Sequence, residues 1–458
     1  MRHSLLMAVL LCALPLSAEE AGAAPLPAAP VPDAAAALRA ALQMMAEQGA
    51  DDYFPAVQAV LDAGGTEQDY LRLMTEAAAA GAPAAQLWRA QQLADYAMSG
   101  TAAGEAVQEA RQLLAAAADA GYAPAMLELA AYTASGLGGR ANEREAMRLL
   151  TEACKAGSVR ARAAYLLMSG CLSKENLTAP EVVSELRNNN VYLEEILAAL
   201  SESEQPETAR SWWEKADTHG SAKAPYFLAQ SGDGAFGEPR AQELLRRAAE
   251  RHWPEALAVL GAWESSGRGD TEPPDVPCGM RHLQEAVMLG YQEAAVTLAA
   301  LFLREPQSYP AERVTALYAE AAARGFDRAM VAHAYCLAVG RGCPPEPERG
   351  MARLRKLAEQ GVLYAHVALA DLYFNGRGTE PDLRRAVDAL GEAAAGGLPQ
   401  AYTLMAVLTR LGNASTPPDP ERARLYLRMA AEQGEPTDEA LVEELVAAGA
   451  WHFLPPAP

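Results

Sequence analysis

The stretch VLYAHVALADLYFNGRGTEPDLRRAVDALGEAAAGG, residues Val362–Gly397, decides the fold, because much of the chain copies it. Apolar residues such as Leu369 and Tyr373 recur at helical spacing, which predicts the buried face of a first helix. Gly376–Gly378 ends that helix, since glycine accepts the positive φ values that a tight turn needs. A second helix follows Asp382 and ends at the closing glycine. The stretch therefore predicts a pair of antiparallel helices.

The pattern recurs along the chain with a period near 36 residues. Closing glycines lie at Gly121, Gly157, Gly290, Gly325, Gly361, Gly397 and Gly434. Eleven positions before the closing residue the side chain is nearly always small. Seven positions before it, the side chain is always large and apolar, including units that close on Gly220 and His252: Leu114, Leu150, Trp213, Leu245, Leu283, Tyr318, Leu354, Leu390 and Leu427. Such a repeat of two helices indicates a solenoid, in which each unit is stable only against its neighbours.

Polar or acidic residues stand just before several second helices. Their side chains are expected to accept hydrogen bonds from the first backbone N–H groups of those helices. These expected caps are Asn142, Asp275, Glu346, Asp382 and Asp419.

The motifs resemble those of the Sel-1-like repeat family, a relative of the tetratricopeptide repeat. Ala256–Gly261 matches the family's first helix, and Gly136–Gly138, Gly340–Gly342 and Gly376–Gly378 match its Gly-x-Gly turn. The resemblance covers roughly residues 82–434. It implies an all-α fold, an α-solenoid in which antiparallel helix pairs form a right-handed superhelix. It also implies an adaptor or scaffold role, often in assembling envelope or signalling complexes.

The ends of the repeat region are less regular. Residues 33–81 are helical by pattern and are interpreted as a degenerate N-terminal repeat or cap. Residues 435–458 are expected to form a C-terminal capping helix and a tail. Within the solenoid at 82–434, Ser231–Gly234 is expected to shorten one first helix by about a turn.

The interval from Gly157 to Gly220 is longer than one unit. The excess is interpreted as an insertion near 171–207, either a degenerate repeat or a dedicated contact device. Thr178–Glu181 reads as a capping box that opens a helix there.

The start of the chain is typical of a secretory signal peptide. Arg2 precedes the apolar run at 5–16, and small residues follow. This order predicts a signal peptide at 1–23, with cleavage after Ala18 or Ala23. The apolar run is too short to span a bilayer. A buried first helix is the alternative.

Residues 24–32 are rich in alanine and proline and are expected to form a linker. The mature protein is then exported, periplasmic or secreted, without inserting into the membrane. Composition and signal favour a bacterial source. The net charge of −21 disfavours nucleic acid as a ligand, because the phosphate backbone would be repelled.

Few residues suggest catalysis. Five cysteines follow the predicted signal peptide: Cys154, Cys171, Cys278, Cys336 and Cys343. Cys336 and Cys343 flank a turn and are candidates for a disulfide. Some exported relatives staple each repeat with a disulfide at fixed spacing, a pattern this chain lacks. No metal-ligand spacing, nucleophile motif or cofactor fingerprint is found, so no metal, cofactor or enzymatic activity is expected.

A binding surface is expected on the first helices. In arrays of the tetratricopeptide type, the positions not used for packing line a concave groove, and aromatic and arginine side chains are common anchors of binding. By this register the groove candidates are Arg328, Tyr335, Tyr364, Asp371, Phe374 and Arg410.

The leading hypothesis is therefore an exported scaffold or adaptor that binds a protein or peptide in its groove. The resemblance also leaves open an enzyme of the β-lactam-binding or hydrolysing type, as described for some secreted relatives. A structural spacer without a dedicated ligand is the third alternative.

Overall fold

The computed structural model describes most of the chain. The described residues are 32–50, 52–98, 103–172, 177, 179–202, 205–230, 239–266, 274–291, 293–304, 309–323, 326–434 and 439–447. The predicted signal peptide at 1–23 lies outside them, as do all residues but the last of the predicted linker at 24–32.

The described residues form 24 α-helices. In chain order they are α1 Pro32–Gln48, α2 Phe54–Asp62, α3 Glu67–Ala79, α4 Pro83–Met98, α5 Ala103–Asp119, α6 Ala123–Ser135, α7 Glu143–Lys155, α8 Val159–Met168, α9 Pro180–Arg187, α10 Val191–Ser201, α11 Pro206–Thr218, α12 Ala224–Gln230, α13 Pro239–Glu250, α14 Pro254–Ser266, α15 Val276–Met288, α16 Glu293–Arg304, α17 Ala311–Ala323, α18 Asp327–Val339, α19 Pro347–Glu359, α20 Leu363–Asn375, α21 Leu383–Ala395, α22 Gln400–Leu411, α23 Pro420–Glu432 and α24 Glu439–Ala447.

The predicted fold class is confirmed, since the protein is an all-α solenoid of antiparallel helix pairs. The described part of the chain contains no β-strand, only one isolated bridge between Asn413 and Thr416. None of the described helices combines the length and the apolar character that crossing a membrane would require.

Packing within each unit follows the predicted register. The large residues seven positions before the closing residue are at most 8% exposed. The small residues eleven positions before the closing residue are buried as well, and a larger side chain there would push the two helices apart. At Gly350, for example, a β-carbon would lie 2.6 Å from the carbonyl oxygen of Ala334 and 2.7 Å from the β-carbon of Ala338. Small residues therefore set the distance between the helices, and the large ones fill the space beside them.

In the three Gly-x-Gly turns at 136–138, 340–342 and 376–378, the second glycine contacts the preceding repeat. A β-carbon on Gly138 would lie 3.0 Å from the carbonyl oxygen of Val107, and one on Gly378 would lie 2.8 Å from the β-carbon of Pro347. At Gly342 it would overlap the carbonyl of Ala311 and lie 2.7 Å from the backbone nitrogen of Glu312. In each case the contacted residue stands about 31 positions earlier, at or near the start of the preceding unit's second helix. The turn therefore joins neighbouring units as well as reversing the chain.

Four of the five expected caps are present. The side chains of Asn142, Asp275, Asp382 and Asp419 each accept a hydrogen bond from the backbone N–H three residues later. The expectation for Glu346 is wrong, because its side chain makes no capping hydrogen bond and pairs instead with Arg349, at 2.9 Å.

The described residues of the stretch predicted as an insertion near 171–207 lie mostly in helices. Two short helix pairs, α8 with α9 and α10 with α11, occupy the interval, and α10 packs against α8. Asn189 has a φ of 54°, so it takes the left-handed conformation that a closing glycine adopts elsewhere. The interval therefore contains two short helix pairs, and its interpretation as a degenerate repeat or a dedicated contact device stays a prediction. The cap of α9 is Ala179, which has no side-chain hydrogen bond, and Thr178 lies outside the described residues.

The described residues fall into two compact regions, 32–294 and 295–447, each larger than a single repeat. In the region 32–294, the N-terminal helices share one apolar core with α4 to α6, and this core also includes Met288 of α15. The α15 side chain of Gln284 donates to Glu67 of α3 at 3.4 Å, and the ring of His252 stacks on Phe54. The N-terminal helices are thus a packing partner for helices about 200 residues later in the chain. The shortening predicted at Ser231–Gly234 lies outside the described residues, which end there with the 7 residues of α12.

In the region 295–447, α24 packs against α22. Val442 and Leu445 of α24 are buried, at 2% and 3% exposure. Helix α24 covers α22, the first helix of the last helix pair, as a C-terminal cap is expected to do.

Candidate binding surface

The six predicted groove residues lie on α18, α20 and α22, the first helices of three consecutive units. They form three pairs of equivalent positions 36 residues apart: Arg328 with Tyr364, Tyr335 with Asp371, and Phe374 with Arg410. Because the units stack in register, two of these pairs become direct contacts between neighbouring helices.

Arg328 and Tyr364 form the first contact. The guanidinium carbon of Arg328 lies 4.9 Å from the centroid of the Tyr364 ring, which is within the range of a cation–π interaction. Both side chains are half-buried, so part of each reaches solvent. The pair presents one charged and one aromatic group in a fixed arrangement.

Tyr335 and Asp371 form the second contact. The Tyr335 hydroxyl donates a hydrogen bond to the Asp371 carboxylate, and the Asn375 amide donates to the same carboxylate at 2.9 Å. Tyr335 is 1% exposed and Asp371 is 3% exposed. A buried carboxylate is stable only with such partners, so these bonds hold α18 and α20 in register.

Arginines from the Gly-x-Gly turns lie beside this pair. Burial raises the pKa of Tyr335, and the Asp371 carboxylate raises it further, while Arg377 and Arg341 partly offset the rise. Arg341 is itself buried, and burial lowers its pKa. The phenol therefore keeps its proton at neutral pH and remains the donor.

Phe374 and Arg410 form the third pair of equivalent positions. Phe374 is 6% exposed, and its carbonyl oxygen accepts a hydrogen bond from the Asn413 side chain at 3.1 Å. Arg410 forms an ion pair with Glu443 of α24, at 2.9 Å. Of the six predicted residues, Tyr335, Asp371 and Phe374 are thus used for packing between helices, whereas Arg328, Tyr364 and Arg410 keep access to solvent. Their role in binding stays a prediction.

The described cysteines are free thiols. The Cys343 sulfur lies 3.7 Å from the carbonyl oxygen of Cys336, and no bond joins the two sulfur atoms, so the disulfide stays a prediction. Burial raises the pKa of Cys336 to about 12, and burial also raises the pKa of Cys154 and of Cys343. A thiol activated as a nucleophile shows the opposite shift.

One cluster was missed by the sequence reasoning. Glu264 on α14 meets Cys278 and His282 on α15, and one potential ligand atom from each lies within 4.8 Å of the others. Cys278 and His282 are four residues apart, a spacing that places them on one helix face. Sequence patterns for metal sites pair cysteines with cysteines or histidines with histidines, and a mixed pair with a carboxylate on the preceding helix has no such signature.

The comparisons with known proteins agree with this repeat geometry. The family model described as Sel1 repeat matches residues 123–158, 327–362, 363–398 and 399–435, and each match spans one helix pair. The chain contains four Sel1 repeats. These repeats form a helical scaffold.

Several solved structures are similar to this chain. A protective antigen of uropathogenic Escherichia coli with an SLR fold is 18% identical, with 90% of this chain and 87% of that chain covered and a TM-score of 0.44. A Sel1 repeat protein from Oxalobacter formigenes is 21% identical over 54% of this chain and 99% of its own, with a TM-score of 0.39. Yeast Tom70 is 12% identical over 80% of this chain and 67% of its own, with a TM-score of 0.27. A search of curated proteins found no match.

His333 on α18 gives a testable pH dependence. Burial lowers its pKa, and Arg353 and Arg349 lower it further. The unfolded chain, with a histidine pKa near 6.5, then binds the proton more readily than the folded protein. Above about pH 6.5 both states are neutral, and as the pH falls through that value the folded state loses stability.

We predict that His333→Leu reduces this acid sensitivity. Leucine is the residue at the equivalent position of the next unit, Leu369, where it is 4% exposed. Urea unfolding of both proteins between pH 7.5 and about pH 5 should show a steeper loss of unfolding free energy for the wild type. Parallel pH profiles for the two proteins would contradict the prediction.

Proposed function

We propose that this protein is an exported scaffold that binds a protein or peptide along the first helices α18, α20 and α22. The observation that carries the proposal is the stacked pair Arg328 and Tyr364, which is held in place by packing and still half-exposed. Tyrosine and arginine are the side chains that most often supply the energy of a protein interface. A rigid pair loses little conformational entropy on binding, which favours affinity.

The buried contacts beside this pair support the same proposal. The Tyr335–Asp371 hydrogen bond fixes α18 against α20, so the distance between Arg328 and Tyr364 is fixed as well. A surface on rigid helices presents its anchors in one geometry, as a selective scaffold requires. Arg410, at 40% side-chain exposure, extends the surface toward α24.

We predict that Tyr364→Ala weakens peptide binding by at least about tenfold, the loss that corresponds to removing one anchor. The measurement starts from random peptides selected on the wild-type protein. Each selected peptide is then titrated by fluorescence anisotropy against the wild type, Tyr364→Ala and Arg328→Ala.

Arg384→Ala is the matched control, because Arg384 is exposed on α21, a second helix of the same unit. It should bind within about twofold of the wild type. If the selected peptides bind the Tyr364→Ala variant as well as the wild type, the proposed surface is wrong. If no peptide is enriched at all, the alternative of a structural spacer is favoured instead.

Export is the second part of the proposal. It rests on the basic start, the apolar run at 5–16 and the small residues up to Ala23. We predict that Leu10→Arg, which places a charge in the apolar run, keeps the chain in the cytoplasm at its full precursor mass. The wild type, expressed in a bacterial host, should be recovered from the periplasm with Ala24 as its first residue, or with Glu19 first if cleavage follows Ala18. Cytoplasmic wild-type protein that still begins at Met1 would contradict the proposal.

A further inference from the structure

The cluster of Glu264, Cys278 and His282 brings three different kinds of metal-binding group together. The Glu264 carboxylate lies 2.7 Å from Nδ1 of His282. One potential ligand atom of each residue lies within 4.8 Å of the other two. All three residues are half-buried, so an ion could enter while much of its surroundings is protein.

Close approach of the two helices brings these groups together. Gly261 of α14 faces Gly279 of α15, and a β-carbon on Gly261 would lie 2.7 Å from the carbonyl oxygen of Gly279. A β-carbon on Gly279 would lie 2.5 Å from the carbonyl oxygen of Gly261. The glycines therefore let the backbones touch one turn away from the cluster, and the short distance brings Glu264 within reach of α15.

Hydrogen bonds at the start of α15 fix the register of the cluster. The backbone N–H of Asp275 donates to the carbonyl oxygen of Glu264 at 2.8 Å. The Asp275 side chain accepts from the backbone N–H of Cys278 at 3.1 Å. Cys278 and His282 then lie on the same face of α15, four residues apart. The three groups are thus held by backbone contacts that do not depend on a bound ion.

We propose that Glu264, Cys278 and His282 form a binding site for a divalent transition-metal ion of the zinc class. One sulfur, one imidazole nitrogen and one carboxylate oxygen are a ligand set that zinc accepts, and water would complete a four-coordinate site. Calcium and magnesium take oxygen ligands almost exclusively, so a set with a single protein oxygen disfavours them. An ion bound here would link the two helices of one repeat.

Two other histidines in residues 32–294 allow the role of the cysteine to be tested separately. His219 lies 2.8 Å from Glu194, and His252 lies 2.7 Å from Glu285, so each forms a histidine–carboxylate pair like that of His282. The metal-ligand cluster found among the described residues is at His282, where a thiol joins the pair. His219 therefore serves as a matched control for His282, and the half-buried Cys154 serves for Cys278.

The test is a titration of the reduced full chain with Co²⁺ alone, followed by competition with Zn²⁺. We expect one ion per chain and a near-ultraviolet charge-transfer band, which arises only when a thiolate binds cobalt. Cys278→Ser should abolish the band, and His282→Gln and Glu264→Gln should each weaken binding by about tenfold or more. The controls His219→Gln and Cys154→Ser should leave both the band and the affinity unchanged.

Thermal unfolding of the metal-free variants separates loss of the site from loss of the fold. Saturating Zn²⁺ should raise the unfolding temperature of the wild type by several degrees and leave that of Cys278→Ser unchanged, because an ion that binds only the folded state stabilises it. Binding at many weak sites, or a charge-transfer band that survives Cys278→Ser in a folded protein, would overturn the proposal.

Discussion

The close approach of helices at small residues is the constraint on which the rest of this structure depends. Within a unit, a residue without a large side chain lets the second helix touch the first, as Gly350 does beside Ala334. Between units, the second glycine of the Gly-x-Gly turn fits against the start of the preceding second helix, as Gly342 does beside Ala311. A methyl group at either place would have to move backbone atoms, which a close-packed interior resists. The units therefore stack at one fixed distance.

This fixed stacking explains where the polar groups meet. Tyr335 and Asp371 are 36 residues apart in the sequence, and the array places them side by side because they hold the same position in neighbouring units. The same holds for Arg328 and Tyr364. A side chain in one unit thus has its partner chosen by the repeat, and a single change of residue type converts an apolar contact into a hydrogen bond or a cation–π pair. The cluster around Cys278 depends on the close approach of α14 and α15 at Gly261 and Gly279.

Much of the fold could be predicted from the sequence, because small and large residues recur at fixed positions in each repeat. The helix pairs, the buried large residue and four caps followed from spacing alone. Glu346 failed as a cap because a glutamate side chain, one methylene longer than aspartate, pairs with Arg349 instead. The interval before Gly220 is harder to divide into repeats from glycine spacing, since Asn189 takes the left-handed conformation there in place of a glycine. Contacts between helices far apart in the sequence, such as that of Gln284 with Glu67, cannot be predicted from any local sequence pattern.

The site was less accessible to sequence reasoning than the fold. Register identified which first-helix positions face one another, but burial decided that Tyr335, Asp371 and Phe374 pack inside the array and that Arg328 and Tyr364 remain half-exposed. The cluster of Glu264, Cys278 and His282 required the distance between two helices, and that distance is set by Gly261 and Gly279 rather than by the ligands themselves.

The most direct test of the central claim compares Gly342→Ala with Gly361→Ala in urea unfolding. Both glycines have positive φ, 64° and 88°, so both variants carry the backbone strain of about 1–2 kcal/mol expected for alanine there. Only at Gly342 would the new methyl group meet another unit, because nothing lies within 4 Å of a β-carbon on Gly361. If contact between units controls the stacking, Gly342→Ala should lose a further ~1–3 kcal/mol of unfolding free energy. Equal losses for the two variants would contradict the account.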